Sequence, residues 1–134
     1  MRDFLSYDPA EFDPAKFDQV LSHPDPVKRA LFQNKDFRAA LSLAIDRQAV
    51  IDTVFIGQGS PAQPAIRPED PLYNEQLATQ YTAFDLAQAN AMLDAIIPNK
   101  DGEGYRLDET GKRVTIIFEI DQVRQTFVDS FQLI

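Results

Sequence analysis

Acidic side chains are the most numerous groups of this chain that could do chemistry, since its 134 residues include 21 Asp and Glu against 13 Lys and Arg. Two carboxylates about 5–10 Å apart across a cleft could hydrolyse a glycosidic bond as an acid–base or acid–nucleophile pair. Asp46 and Asp85, however, each stand directly before an amphipathic stretch and are explained as helix N-caps. We expect Asp52 and Asp94 to lie on solvated helix faces. Asp70 is a further candidate, and the sequence alone does not show any two of these carboxylates at that separation.

A second chemical possibility is a calcium loop within the segment NKDGEG. Asn99, Asp101 and Glu103 occupy alternate positions and Gly104 occupies the sixth, as in an EF-hand loop. The twelfth position is Thr110, so the bidentate glutamate that closes such a loop is missing. We therefore interpret the segment as a solvated, turn-rich connector and predict no metal site.

The remaining catalytic residue types are scarce. The chain has one histidine, His23, and no cysteine, which excludes disulfides, thiolate metal sites and a cysteine nucleophile. His23 stands beside a proline in a polar stretch and has no evident catalytic or metal-binding partner, so we interpret it as a surface or capping residue. The sequence predicts a protein that is not an enzyme and needs no cofactor.

The charge balance restricts the partners of the chain. A net charge of −8 disfavours nucleic acid and anionic membrane surfaces, because both are bound through a surplus of Lys and Arg. The hydrophobic content of 44% suits one globular domain. The first residues, MRDFLSYDPAEF, do not resemble a signal peptide. Taken alone, these features predict a soluble cytoplasmic protein, unless the chain is a piece of a longer one.

The elements that must position any site begin with an acidic, Pro-rich segment over residues 1–34. It contains the repeat DPAEF-DPAKF, in which Asp followed by Pro favours a helix start. We predict short helices over Pro14–Leu21 and Pro26–Phe32, the second capped by Asp25. Residues 35–134 form the second part of the chain in this division.

Helical periodicity continues in that second part, with apolar residues three and four apart. The spacing predicts helices over Lys35–Ala44, Arg47–Ile56 and Leu86–Ile96, one or two helical turns within residues 73–80, and a further helix after Ile120. At the first junction, Asp46-Arg47 is interpreted as a cap and ion pair that fixes the angle between two helices. The alternative is that Arg47 grips a ligand.

One segment has the alternating pattern of a strand. Residues Tyr105–Leu107, a turn over residues 108–111 and a strand over Arg113–Ile120 together predict a β-hairpin. The expected fold class is therefore α+β, with several helices packed on a small β-sheet that contains this hairpin.

The loop over residues 57–71, GQGSPAQPAIRPEDP, combines two glycines and four prolines. A stiff loop loses little conformational entropy when it binds, and long loops of compact domains often carry function. The alternative is a surface connection that the prolines merely stiffen. The candidate ligand-binding residues are Gln58, Ser60, Gln63, Arg67 and Tyr73.

The stretch FRAALSLAIDRQAVIDTVFIGQGSPAQPAI resembles the signature of a family. The family is that of the oligopeptide/dipeptide/nickel-binding solute-binding proteins (family 5) of ABC transporters. The matching residues of this stretch are Phe37, Arg38, Ala40, Leu41, Ala44, Ile45, Asp46, Arg47 and Gly57. The segments DPLYN, YTAFDLAQANAMLD and DGEGYR follow in the family's order, so the resemblance covers roughly residues 23–134.

This resemblance implies a role that composition alone does not. It implies part of the C-terminal lobe of a two-lobed clamp that captures peptides, or another small solute, for an ABC permease. The parent protein would be periplasmic, or lipid-anchored outside the cell, and the loop would approach the cleft between the lobes. The fragment alone is expected to bind poorly and to self-associate through exposed edges. The alternative is a standalone acidic module that uses the Pro-rich loop 57–71 to bind a protein partner.

Overall fold

A computed structural model of the chain describes residues 23–118, 120 and 123–134. The predicted helix over residues 14–21 lies outside this range. The chain divides into two compact units, Met1–Lys35 and Asp36–Ile134. The described helices are α1 (Pro26–Gln33), α2 (Lys35–Leu43), α3 (Arg47–Val54), α4 (Glu75–Thr79), α5 (Leu86–Ile96) and α6 (Gln125–Gln132).

Helix α1, in the first unit, begins as its sequence predicts. The Asp25 carboxylate accepts a hydrogen bond from the Val27 N–H at 2.9 Å, and Pro26 occupies the first helical position. The Nδ1 atom of His23 accepts a hydrogen bond from the Asp25 N–H at 3.1 Å, and its ring meets the Phe32 ring edge-on. His23 is therefore a capping-turn residue.

Side-chain caps also start the helices of the second unit. Carboxylate oxygens of Asp46 and Asp85 accept hydrogen bonds from backbone N–H groups in the first turns of α3 and α5, at 2.9 and 2.8 Å. Asn74 caps α4 in the same way. Helix α3 is shorter than predicted because the next residues leave the helical region, with φ of 54° at Ile56 and 72° at Gly57.

The core of the second unit is small and built largely from alanines and aliphatic residues. Phe37 on α2 is its largest fully buried side chain, with 1% of its surface exposed. Leu41 on the same helix is only half-buried, and Ala44, which follows the helix, is exposed. Helix α6 packs against α3. The buried residues are Phe37, Ala39, Ala40, Leu43, Ile51, Ala78, Ala89 and Ile97.

The predicted α+β class is wrong for the structure described. The chain is mostly helical, and its described residues form no β-sheet. In place of the hairpin there are two single antiparallel bridges, Lys100↔Arg106 and Leu107↔Arg113. We call the segment joined by these bridges, residues 100–114, the ribbon. Its last backbone hydrogen bond joins the Val114 N–H to the Arg106 carbonyl at 2.8 Å.

The hairpin stays short because its first arm, which begins at Tyr105, is only a few residues long. The chain turns immediately before Tyr105, where Oδ1 of Asp101 accepts the N–H groups of Glu103 and Tyr105. The second arm therefore meets no described backbone partner beyond Val114. Strand propensity is present in that arm, but a strand also needs a neighbour.

Arg106 ties this ribbon to the end of α5. Its guanidinium donates to Asp94 Oδ1 at 2.7 Å, to the Ile97 carbonyl at 3.0 Å and to Asn90 Oδ1 at 3.0 Å. Only 12% of the Arg106 side chain is exposed, whereas Lys100, which also pairs with Asp94, is 40% exposed. Arg106 is therefore the stronger tie of the two.

Candidate functional site

The Pro-rich loop is anchored by a hydroxyl on α2. The Ser42 Oγ donates to the Tyr81 carbonyl at 2.9 Å and accepts from Arg47 Nη2 at 2.7 Å and from Gln63 Nε2 at 2.8 Å. A serine hydroxyl has one donor and two acceptor positions. All three are used here, so Ser42 joins α2, α3, the loop and the segment after α4.

Gln63 fixes the middle of the loop with its side chain and its backbone. Besides Ser42, its Nε2 donates to the Gln80 carbonyl at 2.9 Å, and its backbone N–H donates to the Ala78 carbonyl at 2.8 Å. These hydrogen bonds hold the loop against the end of α4, although most residues between 57 and 71 are exposed. The loop is thus both exposed and fixed in position.

Arg47 is a second element of this anchor. Its Nη1 donates to the Ser42 carbonyl at 2.7 Å, and burial of the guanidinium lowers the pKa of Arg47 from its usual value. The predicted ion pair between Asp46 and Arg47 is wrong, because Asp46 caps α3 while Arg47 turns back to Ser42. The predicted structural role of Arg47 at this junction is nevertheless consistent with its contacts.

A cavity of about 290 Å³ lies between α3 and the loop. Its walls are mainly apolar, and the polar groups of Arg47 and Ser60 stand at its lining. The apolar side chains beside them belong to Ile45, Val50, Ile51, Pro61, Ala62 and Ile134. A cavity with apolar walls and a few polar groups is the usual composition of a small-molecule site.

The structure separates the five predicted ligand-binding residues. Ser60 lines the cavity, and Gln63 is occupied in the anchor beside it. Gln58 is exposed at the start of the loop. Arg67 lies in a separate shallow recess near Asp70, and Tyr73 is half-buried with its N–H bonded to the Asp70 carbonyl at 2.9 Å.

The Arg67 guanidinium has no hydrogen bond or ion pair with any residue that the structure describes. The nearby carboxylate of Asp70 accepts instead from the Leu72 N–H at 2.8 Å. Arg67 thus presents an exposed cation at the far end of the anchored loop.

Sequence reasoning missed Ser42 and Tyr81, which complete the anchor. A serine inside an amphipathic helix, beside the buried Leu43, is the available signal for Ser42, because such a hydroxyl needs partners. Tyr81 has a φ of 56°. This left-handed conformation is uncommon for tyrosine, so the residue type does not predict it.

Two carboxylates of the acidic segment that partly matches a calcium loop are paired with an arginine of the same chain. Arg113 donates to Asp101 Oδ2 at 2.5 Å and to Glu103 Oε2 at 2.6 Å, and its guanidinium lies over the Tyr105 ring. Across the described residues there is no cluster of three His, Asp or Glu side chains that could hold a metal ion. In the same part of the chain, no helix is long and apolar enough to cross a membrane.

Comparison with known proteins gives one family. The family model described as "Bacterial extracellular solute-binding proteins, family 5 Middle" matches residues 9–134, most of the chain. No curated protein matches the sequence.

Proposed function

Since this chain belongs to the bacterial extracellular solute-binding proteins of family 5, we propose that it serves to capture peptides for import by an ABC transporter. Family membership itself confirms the resemblance read from the sequence and assigns a solute-binding role in transport. The peptide as solute, the permease as partner and a periplasmic or lipid-anchored location are the further parts of the proposal. The mechanism is non-covalent enclosure.

The observation that carries the proposal is the exposed loop 57–71 held in place at Gln63. Binding loses less conformational entropy when the contacting loop is already fixed. A peptide offers apolar side chains together with backbone donors and acceptors. The apolar cavity beside Ser60 suits the first, and the exposed amide and hydroxyl of Gln58 and Ser60 suit the second.

Arg67 adds a charge to the proposed site. A free guanidinium pairs readily with a carboxylate, in bidentate geometry, and peptides carry a terminal carboxylate. Arg67 is exposed and has no partner among the described residues, so within that part of the chain no pair must be broken before a ligand binds. We assign to it the binding of an anionic group of the solute.

The test is titration calorimetry of the complete binding protein that carries these residues, with a set of peptides of two to eight residues. Arg67→Ala should weaken binding about tenfold or more without changing the unfolding midpoint. Lys112→Ala removes the same charge from an exposed turn and should leave the affinity unchanged.

Three outcomes would contradict parts of the proposal. Equal affinity of Arg67→Ala and the unaltered protein would remove the loop from the site. Binding of another solute class, with no peptide bound, would overturn the peptide assignment. Capture of a protein partner by the 134-residue chain alone would favour the interaction-module alternative instead.

A further inference from the structure

The two residues that hold the Pro-rich loop have no hydrogen-bond donor left for a solute. The Ser42 hydroxyl uses its one donor and both of its acceptor positions within the chain. A side-chain amide has two N–H groups, and Nε2 of Gln63 donates to Ser42 and to the Gln80 carbonyl. The backbone N–H of Gln63 is bonded to the Ala78 carbonyl. All donors of these two residues therefore serve the fold.

Other polar residues of the same loop are in the opposite situation. The side chains of Gln58, Ser60 and Arg67 are exposed and make no hydrogen bond to any residue that the structure describes. Within that part of the chain, their donors are open to a solute. The loop thus contains polar residues that are able to contact a solute and one, Gln63, that holds the loop in place.

The anchor joins the loop to a backbone segment that itself has to be held. The Ser42 hydroxyl donates to the Tyr81 carbonyl at 2.9 Å, and Tyr81 has a φ of 56°. A residue with a side chain keeps such a backbone conformation only where surrounding contacts maintain it. Loss of the Ser42 hydroxyl would therefore loosen the loop at Gln63 and the segment at Tyr81 together.

We propose that Ser42 and Gln63 are positioning residues of the solute site, which set its affinity by holding loop 57–71 in place and do not contact the solute. Because the loop contacts the peptide only under the proposed function, this role of the two residues rests on that function. The unaltered protein binds with a loop that is already in position. A released loop has to be ordered during binding, which costs conformational entropy.

Titration calorimetry of the complete binding protein with peptide measures this cost. Ser42→Ala removes three hydrogen bonds of the anchor and should weaken binding about tenfold, which corresponds to about 1.4 kcal/mol. The binding entropy should become less favourable, because the loop is ordered only when peptide binds. Gln63→Met removes both side-chain hydrogen bonds at a similar side-chain length and should cause a similar loss, so it provides a second variant.

Arg106→Met is the matched control for a general loss of stability. Arg106 bonds to α5 and not to the loop, and its replacement should destabilise the protein about as much as Ser42→Ala does. Peptide affinity should nevertheless stay unchanged in Arg106→Met. Equal losses of affinity in Arg106→Met and Ser42→Ala would show that affinity follows stability, and would overturn the positioning role.

The double variant Ser42→Ala/Gln63→Met distinguishes positioning from direct contact. Two residues that act through one anchor should give a combined loss of affinity smaller than the product of the two single losses. A direct contact between Gln63 and the solute would act independently of Ser42, so the two losses would multiply. Multiplied losses would therefore contradict the proposal.

Hydrogen exchange of the Gln63 amide provides a signature that a destabilised protein with an intact anchor lacks. In Ser42→Ala this amide should exchange faster without peptide and regain its protection at saturating peptide. In the unaltered protein and in Arg106→Met it should be protected in both states, since its bond to Ala78 is in place. An amide of Ser42→Ala that exchanges equally fast with and without peptide would contradict ordering of the loop on binding.

Arg67→Ala separates failure of this role from failure of the proposed function. Weaker binding in Arg67→Ala, with unchanged binding in both Ser42→Ala and Gln63→Met, would keep the loop in the site and overturn the positioning role alone. Unchanged binding in all three variants would remove the loop from the site and overturn both.

Discussion

Replacement of Ser42 by alanine should release the Pro-rich loop, because this hydroxyl bonds three separate segments. Two of its hydrogen bonds join neutral groups, and a net contribution of about 1 kcal/mol each is typical. The third comes from the guanidinium of Arg47, a class that contributes about 1.5–3 kcal/mol.

The expected cost is smaller than the sum of these values. In the variant, Arg47 still donates a hydrogen bond to the Ser42 carbonyl, and Gln63 still donates one to the Gln80 carbonyl. Both side chains are half-buried, so water can replace part of the lost hydrogen bonding to the hydroxyl. Alanine also has a helix propensity about 0.5 kcal/mol better than serine. We expect Ser42→Ala to lower the free energy of unfolding by about 2 kcal/mol.

Urea unfolding of the 134-residue chain measures this change, and about 2 kcal/mol corresponds to a midpoint shift of roughly 1 M. Ser60→Ala is the matched control, since Ser60 is exposed and should change stability by less than about 0.5 kcal/mol. Hydrogen exchange of the Gln63 amide, which is bonded to Ala78, should accelerate in Ser42→Ala. Equal midpoints for the two variants would refute the anchor as described.

Three further predictions concern other parts of the second unit. Arg106→Met should destabilise the chain by about 2 kcal/mol in urea unfolding, because Asn90, Asp94 and the Ile97 carbonyl lose a largely buried partner, whereas Lys100→Met should cost less than about 0.5 kcal/mol; equal losses would contradict this difference. Ile56→Asn should stabilise the chain by about 1 kcal/mol and so raise its thermal midpoint, because a β-branched residue is strained at a φ of 54°. The Ile56 side chain is 84% exposed, so little packing is lost. A lower midpoint would argue against that strain. The hydrogen bond from Arg106, followed by that from Lys100, lowers the pKa of Asp94. The contribution of Asp94 to stability should therefore be complete above its unfolded pKa of about 4 and lost as pH falls through its lower folded pKa. Asp94→Asn should flatten the acid limb of the stability curve, and an unchanged limb would contradict this assignment.

The local parts of the fold were predictable from the sequence. The caps Asp25, Asp46 and Asp85 act within three residues of their own position, so each start is encoded locally. Helix α5 has the predicted bounds, because Asp85 precedes it and Pro98 follows it closely. The helical periodicity needed no knowledge of distant partners.

The non-local parts were not predictable by the same reasoning. The strand pattern over Arg113–Ile120 is genuine, but pairing depends on an opposite arm, and the turn at Asp101 leaves that arm too short. The anchor likewise joins positions 42, 47, 63 and 81, which no spacing rule connects. Gln63 was identified as exposed and polar on the loop, whereas its amide lies in that anchor.

Hydrogen exchange along the loop tests most directly whether the fixed loop 57–71 forms part of the peptide site. Exchange should be measured by mass spectrometry on the complete binding protein, with and without a saturating peptide. We predict that residues 57–62 and 66–70 gain protection when peptide binds, while the ribbon around Arg106 does not change. Peptide binding with no change anywhere in residues 57–71 would contradict the account.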